Sequence, residues 1–117
     1  MSGAKLCIPG AARLRAGQSQ TFELELGAER VQGFVLRHAA GLFAYRNRCP
    51  HQPFDLDLGD GRFYAEDIDR IYCKNHGALF RVADGYCDHG LCMGESLERF
   101  ALSIDGDDVW VTLNRSS

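Results

Sequence analysis

The chain has 117 residues, 45% of them hydrophobic, with 13 Lys and Arg against 16 Asp and Glu, which leaves room for one domain with a modest core. A net charge of -3 and a pI near 5.7 argue against nucleic acid or an anionic membrane as the main partner, because those contacts need clustered Lys and Arg. No stretch reaches the roughly 18 apolar residues of a membrane span, and Met1 to Gly10 lacks the unbroken apolar run of a secretory signal, so a soluble cytoplasmic protein without disulfides is expected.

In chain order, short runs that alternate or are rich in β-forming residues fall at 21–26, 32–37, 42–46, 70–73, 79–82 and 109–113, and these read as strands. Turn signals separate them, among them Gly27-Ala28, Ala40-Gly41, Gly59-Asp60-Gly61, Asp84-Gly85 and Asp105-Gly106, at the spacing of an all-β antiparallel sandwich or barrel. Alternation puts Phe22, Leu24 and Leu26 on one strand face, and Val109, Val111 and Leu113 on another; these faces are expected to build the core. The last strands, 97–104 and 109–113, should pair back with the early ones. Residues 47–94 are then an inserted, loop-rich lobe within a single domain spanning 1–117, with no repeat or linker.

Two short motifs in that lobe carry the chemistry. Cys49-Pro50-His51 is a CxH, and after 21 residues (52–72) it is followed by the CxxH of Cys73-Lys74-Asn75-His76. Each offers one thiolate and one imidazole. Pro50, Pro53 and Gly77 favour tight turns at these places, so the ligands are expected to project from two facing loops that grip one metal centre.

These motifs resemble the Rieske family, whose pattern is a CxH loop and a CxxHG loop around a [2Fe-2S] cluster, and the resemblance covers most of the chain. It implies a Rieske-like β-sandwich or barrel with its cluster in the inserted lobe of about 47–94. It implies that Cys49 and Cys73 hold one iron, and that His51 and His76 hold the outer one near the surface. Two ferric ions, two sulfides, two thiolates and two neutral imidazoles sum to zero charge. An all-cysteine cluster starts two units more negative and resists the electron more strongly, which is why histidine ligation raises the potential. Because the oxidised outer iron acidifies its imidazoles, the potential is expected to fall at alkaline pH.

Respiratory members of the family place a serine and a tyrosine just after the second ligand pair, and their hydroxyls donate to a sulfide and a cysteine sulfur. The matching positions here are Ala78 and Phe80, which donate nothing. The disulfide those members carry between the loops has Phe54 and Asn75 at its positions. A potential toward the low end of the roughly -150 to +300 mV Rieske range is therefore expected. The chain also departs from the family in the long separation of its two loops. In its third loop, Asp88 to Gly94, the usual proline is missing, and Lys74 and Asn75 stand where relatives carry a proline and an aromatic.

The resemblance implies a stand-alone, monomeric electron carrier that is not itself an enzyme. It would take electrons from a flavin- or NAD(P)H-dependent reductase and pass them to a terminal oxygenase. No nucleotide-binding glycine motif or mononuclear iron triad is present. Two alternatives stand beside this one: the small subunit of an assimilatory nitrite reductase, and a structural module in which the same four residues hold zinc. Cys87, Cys92 and Cys7 read as packing thiols outside the ligand set, and His38 and His89 as ordinary polar residues. The acidic residues Asp55, Asp57, Asp60, Glu66, Asp67 and Asp69 form a possible docking face between the ligand loops, or else a solvated insertion.

Overall fold

The computed structural model describes residues 5–50, 56–57, 61–74, 77–90 and 92–112. Three antiparallel sheets and one 3-10 turn make up the described chain. The first sheet contains β1 (Lys5–Ile8), β9 (Ala101–Asp105) and β10 (Asp108–Thr112), in the order β1-β10-β9. The second is the meander β2 (Ser19–Leu26), β3 (Glu29–His38) and β4 (Gly41–Arg46). The third is built of short strands, β5 (Tyr64–Ala65), β6 (Arg70–Tyr72), β7 (Leu79–Phe80) and β8 (Cys87–His89), again in sequential order. No helix among the described residues is long and apolar enough to cross a membrane.

The expected faces of β2 and β10 are observed: Phe22, Leu24, Val109 and Val111 are all buried, while the Leu26 side chain and Leu113 lie outside the described residues. The expected return of the last strand to the beginning of the chain is also observed, with Lys5 opposite Thr112 and Ile8 opposite Val109. Two differences have clear causes. The strand expected from residue 97 starts at Ala101, because residues 98–100 run along the edge of β4, where Arg46 N–H donates to Glu98 C=O at 2.8 Å and Phe100 N–H to Ala44 C=O at 3.0 Å. The strand expected to reach Val82 ends at Phe80. Beyond it the chain turns at Arg81 to Asp84, and the Val82 carbonyl accepts the hydroxyl of Tyr45 at 2.5 Å. Burial pushes that phenol up to about 12.

The middle sheet separates two cores. Val31, Val35 and Ala44 face one core, with Ile8, Phe22, Leu24, Phe100, Val109 and Val111. Phe34, Leu36 and Tyr45 face the other, which contains the lobe residues. Because a strand's side chains alternate between faces, four consecutive buried residues from Gly33 to Leu36 mark β3 as covered on both sides. Gly33 fits this position because of the space around it. An added Cβ would lie 2.5 Å from Cζ of Phe22 and 3.0 Å from the ring of Phe100, and those two rings meet edge-on with centroids 5.0 Å apart. On the other side, Phe34 stacks on Phe63 at 3.8 Å, which fastens the lobe to the frame. Cys7 belongs to neither core: β1 turns Leu6 and Ile8 toward the first and leaves Cys7 half-buried opposite Trp110, not packed as expected.

Candidate metal centre

The first ligand loop leaves β4 through Asn47, a buried polar residue that organises the chain around it. Its backbone N–H donates to Gln32 C=O at 2.8 Å. Its side-chain amide donates to Gln32 Oε1 at 3.0 Å and to Asp57 Oδ1 at 3.1 Å, and its Oδ1 accepts the Leu56 N–H at 2.8 Å. Asp57 in turn accepts the Gly61 N–H at 2.9 Å. Both ends of the loop are thereby tied to one point, and Cys49 is held just inside it, buried.

The second loop follows β6. Cys73 N–H donates to Ala78 C=O at 2.9 Å, and Gly77 N–H donates to Cys73 C=O at 2.8 Å, closing a tight turn. Gly77 has a φ of +72° with open space around it, so it is the backbone angle that calls for glycine there. Lys74 N–H donates to Leu56 C=O at 2.9 Å, joining the second loop to the first. Arg70 on β6 reaches across β7 to Asp88 on β8, with Nε and Nη2 each 3.0 Å from Oδ2, which braces the sheet beneath the loop.

Cys49 and Cys73 thus enter one buried cluster with Ala78, Phe80, Cys87 and Cys92, and all of these cysteines are free thiols. His51 and His76 lie outside the described residues, as do Asp55 and Asp60 of the acidic run and Phe54 and Asn75. Two buried, unbridged thiols on neighbouring loops, each two or three positions before a histidine in the sequence, suit the mixed thiolate and imidazole set that a Rieske centre requires.

The third loop lacks a proline yet packs closely. Gly90 lies so near the exit of the second loop that an added Cβ would come within 2.7 Å of Ala78 Cα. Its φ of +104° also excludes other residues. The loop returns through hydrogen bonds from Cys87 N–H to Glu95 C=O at 2.7 Å and from Gly94 N–H to Cys87 C=O at 3.0 Å. This brings Cys92 Sγ to 3.7 Å from Cys49 Sγ and 3.6 Å from Cys87 Sγ. Burial, reinforced by the two neighbouring sulfurs, pushes the Cys92 thiol well above its ordinary value, so it stays protonated. Among the described residues no three ligating side chains converge on a metal.

Sequence reasoning placed Cys87 and Cys92 in the packing, and both are buried. It did not find that Cys92 touches Cys49, a contact across 43 residues that no local pattern announces. Nor did it separate Asp57 from the acidic run: Asp57 is buried in the loop hub, while Glu66 and Asp67 are exposed. Asp69 has a φ of +53° and accepts the Tyr64 hydroxyl at 2.5 Å, with His38 Nε2 at 2.8 Å. The Tyr64 bond first, then the His38 bond, holds its carboxyl below the usual range, and the same bond pushes Tyr64 up to about 12. His38 is therefore engaged at the lobe boundary, and His89 is exposed as expected.

An antiparallel β frame that brings two buried, unbridged thiols together from adjoining loops is suited to a metal centre. The family model of the Rieske [2Fe-2S] domain matches residues 5–102, and the chain belongs to that family, whose cofactor is one [2Fe-2S] cluster. Among solved structures, the complex of reduced oxygenase and oxidized ferredoxin in carbazole 1,9a-dioxygenase is similar, with a TM-score of 0.71, 22% identity, and coverage of 97% of this chain and 96% of that one. The ferredoxin of carbazole 1,9a-dioxygenase from Nocardioides aromaticivorans gives 0.68 and 22%, over 95% and 98%. A chain in the reduced complex between oxygenase and ferredoxin of that system gives 0.77 and 18%, but there this chain spans 98% of its own length and only 30% of the other's. No curated protein matches the sequence.

Proposed function

We propose that the protein is a cytoplasmic, monomeric, single-domain electron carrier, in which Cys49 and Cys73 hold one iron of the cluster and His51 and His76 the other. The observation that carries this reading is the family match across both ligand motifs, together with the burial of both thiols in one cluster at the loops that bear those motifs. The cluster, when bound, takes up and releases one electron. The protein's own residues fix its surroundings. Asn47 and the Cys73 to Ala78 turn set the loop positions, Cys49 and Cys73 are kept from water, and the neighbouring lobe surface is left to meet partners. Likeness to ferredoxin chains over nearly their whole length favours delivery from a reductase to a terminal oxygenase. It also favours a carrier over a catalyst.

The potential is set low by what surrounds the thiolates. Ala78 and Phe80 are both fully buried and supply no hydroxyl to the cluster sulfurs, so the extra negative charge of the reduced state is less stabilised than where such donors exist. A spectroelectrochemical titration should show uptake of one electron per chain at a potential toward the lower end of the roughly -150 to +300 mV Rieske range. Transfer of two electrons, or a midpoint well above zero, would overturn the reading.

A further inference from the structure

We propose that Cys92 is a tuning residue of the centre, which donates its thiol hydrogen to the sulfur of Cys49 and so raises the reduction potential above what the bare apolar surroundings would set. This rests on Cys49 being a cluster ligand, as proposed above. A free thiol pair 3.7 Å apart has a hydrogen available from either side. Once Cys49 binds iron as a thiolate it has none, and the contact can run in one direction only, from Cys92 S–H to Cys49 Sγ. The neighbouring contact has its donor geometry in the same sense, from Cys87 Sγ to Cys92 Sγ at 3.6 Å, with the His89 carbonyl 3.2 Å from Cys87 as a second acceptor. Cys87 does not accept from Cys92 in this arrangement, so Cys92 keeps its own hydrogen for Cys49 whichever acceptor the Cys87 hydrogen takes.

Three features make the contact more than incidental packing. Cys92 is almost fully buried, so no bulk water competes for the acceptor. Its position is fixed by the loop, because Glu95 N–H donates to Cys92 C=O at 2.9 Å, Met93 N–H donates to Gly90 C=O at 3.2 Å, and Gly90 abuts Ala78. Finally, among the described side chains no hydroxyl reaches the Cys49 sulfur. When bound, the cluster would carry one more negative charge after reduction, shared with its sulfur ligands, and a hydrogen bond strengthens as its acceptor becomes more negative. The bond thus favours the reduced state. No proton moves in this step: one electron enters and the hydrogen stays on Cys92. A thiol is a weaker donor than a hydroxyl, so Cys92 offsets only part of what Ala78 and Phe80 leave out.

The test compares wild-type protein with C92A and C92S, each assayed for iron and acid-labile sulfide before film voltammetry. Loss of the donor in C92A should lower the reduction equilibrium constant about three-fold, a shift of about 28 mV at 59 mV per ten-fold change for one electron. C92S restores a donor and should titrate at or above wild type. A loaded C92A at the wild-type potential, or a C92S that falls with C92A, would overturn the proposal while leaving the electron-carrier reading intact. Wild-type protein without iron and sulfide would overturn both. Pulsed electron–nuclear double resonance on the dithionite-reduced wild type and C92A, each exchanged into H2O and D2O, adds a second readout. An exchangeable proton coupling present in wild type and missing from C92A is expected, and identical exchangeable couplings in the two would contradict the assignment.

Discussion

Replacing Cys49 or Cys73 by alanine should leave a protein unable to retain iron and sulfide, whereas C87A should load like wild type. Losing a residue that merely orients a metal ligand already costs about 10–100-fold in affinity, so losing a ligand costs at least about 100-fold. Cys49, Cys73 and Cys87 are similar in burial and in chemistry. A general effect of opening a small cavity in this core would therefore weaken all three variants alike. Only ligation separates the first two from the third. Iron and labile sulfide per chain, measured on the purified variants, check this. A C73A protein with a full complement would remove Cys73 from the ligand set, and loss of iron from C87A equal to that from C49A would point to packing.

The second large effect is expected at Asn47. N47A deletes three side-chain hydrogen bonds at a buried site, leaving the Leu56 N–H without its acceptor and removing one partner from the buried Asp57 carboxylate. Each buried polar group stripped of a partner costs about 1–3 kcal/mol. The sum of about 3–5 kcal/mol corresponds to a melting temperature roughly 10–20 °C lower for a domain of this size. Because Leu56 C=O also accepts the Lys74 N–H, the damage spreads from the first ligand loop to the second. Cluster loss on standing should accelerate in parallel. Thermal unfolding of N47A followed at the cluster absorbance and by far-ultraviolet circular dichroism measures both, and a melting temperature within about 2 °C of wild type would show that the network contributes little.

These two sites illustrate how unevenly the sequence reveals the molecule. Strand periodicity is local, so β2, β3, β4 and β10 could be read from alternating or β-rich runs between turns, and the two cysteine motifs could be read from ligand spacing alone. β5 and β8 are as short as β6 and β7 but, in Tyr64-Ala65 and Cys87-Asp88-His89, lie in no alternating or β-rich run that would show them. β1 does not register because it has only four residues, Lys5–Ile8, before the turn at Pro9-Gly10. What stayed hidden is whatever depends on meeting a distant residue. Asp57 has the appearance of any loop acid until Asn47, ten residues earlier, and Gln32, fifteen before that, close over it. Cys92 has the appearance of a packing thiol until the third loop folds back on Cys49.

The fold divides the acidic run between the two motifs. With Asp57 buried, the exposed acids described between the two motifs are Glu66, Asp67 and Asp69, the last already engaged by Tyr64 and His38, beside the half-exposed Ile68. They stand on the turn between β5 and β6, on the strand pair that leads into the second ligand loop.

A [2Fe-2S] cluster held by two cysteines and two histidines has a distinctive magnetic signature. The most direct test is the electron paramagnetic resonance spectrum of the dithionite-reduced protein, recorded on a sample assayed for metal and sulfide. About two irons and two labile sulfides per chain, with the low average g value of a histidine-ligated cluster, are expected. Zinc without sulfide and a silent spectrum would contradict the account and make the four residues a structural zinc site.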